Sequence, residues 1–118
     1  MKDDRTAKLE AIAKILAVKT DISGQGEAAL ADQQEQLRSV GVDSKVGSIR
    51  ALGYFPDGQV DVTFVSEGEM WGSQWPAWTL SAVRDALLHG KQIWAIYEKG
   101  GGPFGHDLLV VVLLSWPI

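Results

Sequence analysis

The spacing of apolar residues changes its period along the chain, and each change predicts an element. Leu9, Ile12, Ile15 and Leu16 recur at helical spacing while Lys8, Glu10, Lys14 and Lys19 point elsewhere, which predicts an amphipathic helix capped by Asp3 or Asp4. Its Ala-rich middle favours helix by propensity, and Thr20-Asp21-Ile22-Ser23-Gly24 breaks it. A second helix is expected from about Gly26 to Ser39, with its cap region at Ser23 and Gly41 just past its end. Its apolar stripe, Ala29, Leu30, Leu37 and Val40, is thin beside the polar Gln33-Gln34-Glu35-Gln36 run. Such a helix lies on the surface with one shallow face down.

The period then drops to two. Ile49, Ala51 and Gly53 alternate with Arg50, Leu52 and Tyr54, and Val60, Val62 and Phe64 alternate with Asp61 and Thr63. Between them Phe55-Pro56-Asp57-Gly58-Gln59 has the chemistry of a tight hairpin turn, with proline presetting φ and glycine accepting a positive one. Residues 66–75 carry glycines, glutamates and tryptophans and are read as a loop. Pro76 suits the first turn of a third helix, whose apolar face is Leu80, Val83, Leu87 and Leu88 and whose end is marked by Gly90. Lys91 to Glu98 and Asp107 to Ser115 are expected strands, apolar on both faces, joined by the glycine-rich segment Lys99 to Gly105.

The expected architecture is therefore one α+β domain over residues 1–118. Its order is α-α-β-β-α-β-β, with a mostly antiparallel sheet of about four strands and helices packed on it. Strands apolar on both faces need cover on both. Either the first two helices fold across the second face, or a second subunit does; a homodimer is expected, the more so because Ser115-Trp116-Pro117-Ile118 is itself apolar.

Composition narrows the function classes. With 118 residues and 46 % hydrophobic side chains the chain builds a core without staples, and with no cysteine it has neither disulfides nor thiolate ligands, which fits a reducing, cytoplasmic compartment. No apolar run reaches membrane-spanning length, and the N-terminus lacks the apolar core of a signal peptide. The net charge is −4, concentrated in residues 46–75, where Arg50 faces Asp57, Asp61, Glu67 and Glu69. No basic stripe exists to neutralise phosphates, so nucleic acid is not an expected partner.

The densest chemistry is the segment holding Trp71, Trp75 and Trp78 beside Glu67 and Glu69. Aromatic faces with carboxylates are the parts of a pocket for a small cationic or aromatic ligand, and carbohydrate stacking would use the same rings. The same tryptophans would equally plug a core or an interface. The Gly100–Gly102 run lacks the Lys-Ser/Thr pair and the following helix of a phosphate cradle and reads as a connection between strands. His89 follows Asp85 by one helical turn and His106 precedes Asp107, but one sits at a helix end and the other in a turn, so no catalytic residue is assigned. Two isolated histidines and no acidic loop of calcium-binding spacing predict no metal, and no cofactor is expected. The expected function is a non-enzymatic binding domain with a Trp-lined pocket. The alternatives are a protein-interaction module such as an inhibitor, immunity or accessory protein, which would offer its acidic face to a basic partner, and a small hydrolase or isomerase.

Overall fold

A computed structural model describes residues 4–17 and 26–117. Helix α1 (Asp4–Ala17) and helix α2 (Gly26–Ser39) precede strands β1 (Val42–Tyr54), β2 (Val60–Ser66) and β3 (Glu69–Trp75). A 3-10 turn (Ala77–Thr79) then leads into helix α3 (Leu80–His89), followed by strands β4 (Lys91–Glu98) and β5 (Leu108–Pro117). The α+β class and the succession of elements are those expected, with one strand more: the antiparallel sheet has five strands, in the order β3-β2-β1-β4-β5. The proposed caps at Asp3 and Ser23 and the break at 20–24 lie outside the described residues.

The additional strand is the segment read as a loop. Glu69–Trp75 pairs in continuous register with β2, from Ser66↔Glu69 to Val60↔Trp75. The loop reading fails because Glu67 and Gly68 make a two-residue hairpin turn, both at positive φ (53° and 81°). A glutamate at the first position hides that turn from composition. Strand β1 also starts seven residues earlier than its alternation suggested. Its first half, Val42–Ser48, pairs with β4 and its second half, Ser48–Tyr54, with β2. The exchange of partner falls at Ser48, beside Gly47, where a Cβ would stand 2.1 Å from the Val65 carbonyl oxygen, so only glycine lets the β2–β3 hairpin pass so close.

Two clusters fill the two faces. On one, α3 places Val83 and Ala86 against Ile49, Val62, Phe64, Trp75, Ile93 and Ala95. On the other, α1 and α2 place Ile12 and Leu37 against Val42, Trp94, Ile96, Leu109 and Leu114. Strand β4 serves both clusters with alternate residues, which explains its unbroken apolar run. Its second face is thus covered inside the chain by the helical pair. Among the described residues, no helix is long and apolar enough to cross a membrane.

Candidate functional site

The tryptophan segment becomes a strand, and a strand separates what a loop would gather. Trp71 and Trp75 point to the α3 side four residues apart, roughly 13 Å along β3. Trp75 is fully buried, packs on Phe64 with ring centroids 5.8 Å apart, and donates its indole N–H to the Pro103 carbonyl at 2.7 Å. Trp71 is half-buried between the Phe104 ring (5.5 Å, edge-on) and the Lys45 ammonium (5.2 Å above its ring). Trp78 stands on the 3-10 turn, 55 % exposed. No ring pair joins any two of these three tryptophans among the described residues. Glu67 and Glu69 sit at the β2–β3 turn, exposed; Glu67 borders a small polar cleft of about 300 Å³ shared with Gln34, Arg38, Ser44, Lys45 and Val46.

A larger cleft, about 510 Å³, opens at the far end of the β2–β3 hairpin. It is lined by Gln59, Ser73, Gln74, Pro76, Phe104, Gly105 and His106. Three segments build it, and the sequence explains each. The Phe55-Pro56-Asp57-Gly58 turn is closed by Gly58 N–H on the Phe55 carbonyl (3.0 Å) and brings Gln59 in. Pro76 ends β3 and starts the 3-10 turn. The β4–β5 connection reaches across to β3, where the Pro103 carbonyl accepts from both Trp75 Nε1 and Ser73 Oγ (2.7 and 3.3 Å). Gly105 lies so close to Gln74 that a Cβ would stand 1.9 Å from its carbonyl oxygen.

The chemistry of this cleft is aromatic and amide. Phe104 and His106 stack with planes 15° apart and centroids 6.1 Å apart, a slab continued inward by Trp71. Gln59 and Gln74 are exposed and bring carboxamides, each both donor and acceptor. Exposed aromatic surface gathers on the adjoining segments: Phe55 bonds Gln59 through its backbone N–H (3.1 Å), Tyr54 immediately precedes Phe55, and Trp78 stands two residues beyond Pro76. Carboxylates stand nearby, since Asp61 is the cross-strand partner of Gln74 and Asp57 accepts the Gln59 backbone N–H at 3.0 Å. None of the residues expected to form a site lines this cleft: Trp71 packs behind Phe104, Trp75 lies buried between Gln74 and Pro76, and Trp78 stands two residues beyond Pro76. Gln59, Gln74 and Phe104 were missed because nothing local marks them; they meet only through the fold. Polar residues flanking two separate turns were the one available signal.

His106 is 81 % exposed, with Nε2 3.3 Å from the Asp107 carboxylate, and His89 is exposed at the end of α3. His106 lines the cleft described above, whereas His89 does not. Among the described residues no three acidic or histidine side chains gather to hold a metal ion. No protein-family model matches the chain, and no curated protein or solved structure matches it at a significant level.

Proposed function

We propose that this is a non-enzymatic binding domain that takes a small, flat, ring-bearing ligand, preferably cationic, in the cleft between Gln59, Gln74 and the Phe104–His106 slab. The observation that carries this reading is the pairing of stacked rings with two carboxamides around a volume of about 510 Å³, within the range of small-molecule sites. Asp57 and Asp61 beside it favour positive charge on the ligand, and Trp78 and Phe55 offer further ring surface. The absence of cysteine fits a reducing, cytoplasmic setting.

The test is a thermal-shift screen with cationic aromatic compounds and short glycans, followed by tryptophan fluorescence. Ligand at a hundredfold over its dissociation constant adds roughly 2.7 kcal/mol of stability. A hit lost in Gln74→Ala and kept in Glu69→Gln supports this cleft. A hit with the opposite pattern returns the site to the β2–β3 turn with Trp71, and no hit across the panel rejects small-molecule binding. A second reading is favoured by one observation: Asp57, Asp61, Glu67 and Glu69 are all exposed along the β2–β3 hairpin and the turn before it. They would serve a basic protein partner whose affinity falls as salt rises.

A further inference from the structure

The two edges of the sheet are guarded very differently. Along β3 the two-residue turn makes Ser66 and Glu69 a hydrogen-bonded pair, so Met70, Gly72 and Gln74 direct their backbone groups outward. That edge is flanked by Glu67 and Glu69, and Gly105 sits against the Gln74 carbonyl. Charge and a covering loop are ordinary protections of an edge strand.

Among the described residues, strand β5 has neither along most of its length. Glu98 N–H donates to the Asp107 carbonyl (3.0 Å), so Glu98, Ile96, Trp94 and Gln92 face β5 and their partners Val110, Val112 and Leu114 face back. Val111 and Leu113 therefore direct N–H and C=O away from the sheet. At Leu108 the N–H donates to the Phe104 carbonyl (3.1 Å), and the Arg5 guanidinium covers the carbonyl at 2.7 Å while lying 3.8 Å from Glu98. Beyond this cap the edge is Leu109-Val110-Val111-Val112-Leu113-Leu114, with no charge, and Leu113 is 39 % exposed. A long apolar edge left in this state would template aggregation.

We propose that this edge pairs with its own copy, joining two five-stranded sheets antiparallel across a two-fold axis at Val112. A second copy fits because the edge is self-complementary. Val111 opposes Leu113 of the other protomer, Leu113 opposes Val111, and each pair exchanges two hydrogen bonds. The paired stretch itself carries no charge; the charges beside the strand are Arg5, Glu98 and Asp107 at one end and Lys91, opposite Pro117, at the other. The exposed Leu113 side chain packs on Val111 of the other copy and extends the α3-side core. This interface is independent of the ligand cleft, which uses no residue of β5.

Light scattering on a sizing column, from low to high micromolar chain, tests it. The expected mass is twice 12.8 kDa. Leu113→Lys puts like charges on both sides of the axis and should give monomer. Leu113→Pro removes an outward N–H without touching the β4 ladder and should do the same, which separates loss of pairing from failure to fold. Met70→Lys, on the opposite edge, should remain dimeric. A wild-type monomer at high micromolar concentration overturns the proposal, as does a dimer that survives both Leu113 substitutions or one broken by Met70→Lys.

Discussion

The indole N–H of Trp75 reaches the carbonyl of Pro103 at 2.7 Å, a fully buried bond across 28 positions of chain. It ties the β4–β5 connection to β3 although the two strands leading into that connection lie at the other side of the sheet. Ser73 adds a second, longer bond to the same oxygen. Trp75→Phe keeps an aromatic ring against Phe64 but removes the stronger donor. It should cost roughly 1–3 kcal/mol in urea unfolding, from the lost bond and the smaller ring. Ser73→Ala, which loses the longer bond, should cost less than Trp75→Phe in the same measurement.

Two glycines of the sheet differ in what surrounds them. Gly47 has the Val65 carbonyl where a Cβ would go, whereas Gly72 has nothing within 4 Å. Gly47→Ala should force the hairpin away from β1 and destabilise by about 1–3 kcal/mol, the usual cost of overpacking. Gly72→Ala should be neutral or slightly stabilising, because it only narrows the unfolded ensemble. Equal melting temperatures for the two variants would contradict the close passage at Gly47.

The β2–β3 turn stores a small strain that a substitution can release. Glu67 holds φ at 53°, a region that costs a non-glycine residue about 1 kcal/mol and that asparagine tolerates better. Glu67→Asn, giving the Asn-Gly pair favoured in such turns, should stabilise by about 0.5 kcal/mol, read as a higher denaturation midpoint with an unchanged slope.

Burial raises the pKa of the Tyr97 hydroxyl above 10.0, and the Asp43 carboxylate pushes it the same way. The phenol ionises in the unfolded chain before it does so in the folded one. Above pH 10 the unfolded state therefore holds fewer protons, and stability falls as pH rises until the folded phenol also ionises. The contribution is complete below pH 10 and is lost above it, with a slope of at most about 1.4 kcal/mol per pH unit. Tyr97→Phe should flatten this alkaline limb of a stability-against-pH curve and leave its neutral region parallel to wild type.

Most of the fold was legible where one period dominates a segment. The Leu9–Leu16 stripe, the alternation of Val60, Val62 and Phe64, the turn at Pro56–Gly58 and the two-faced run of β4 each state their element locally, because backbone geometry fixes which side chains share a face. Gly41 and Gly90 mark helix ends for the same reason, both with positive φ as the cap requires. Strand β3 was not legible, since its turn depends on a glutamate adopting a glycine-like conformation and its outward side chains are a methionine, a glycine and a glutamine.

What the sequence determined by itself is the α+β class, the succession of elements apart from β3, the acidic character of residues 46–75 and the absence of thiols. What only the tertiary structure decided is which residues meet. The tryptophans, eight positions from first to last, are spread along a strand and a 3-10 turn, while Gln59, Gln74 and Phe104, 46 positions from first to last, converge on one cleft. The same holds for the edges: β3 and β5 both read as strands once paired, but strand order alone decides that the charged one and the apolar one lie at opposite rims. The physical reason is that propensity and periodicity act over a few residues, whereas sites and edges are set by contacts between segments remote in sequence. Those contacts depend on register and on close approaches such as Gly47 on Val65 and Gly105 on Gln74, which no local pattern encodes.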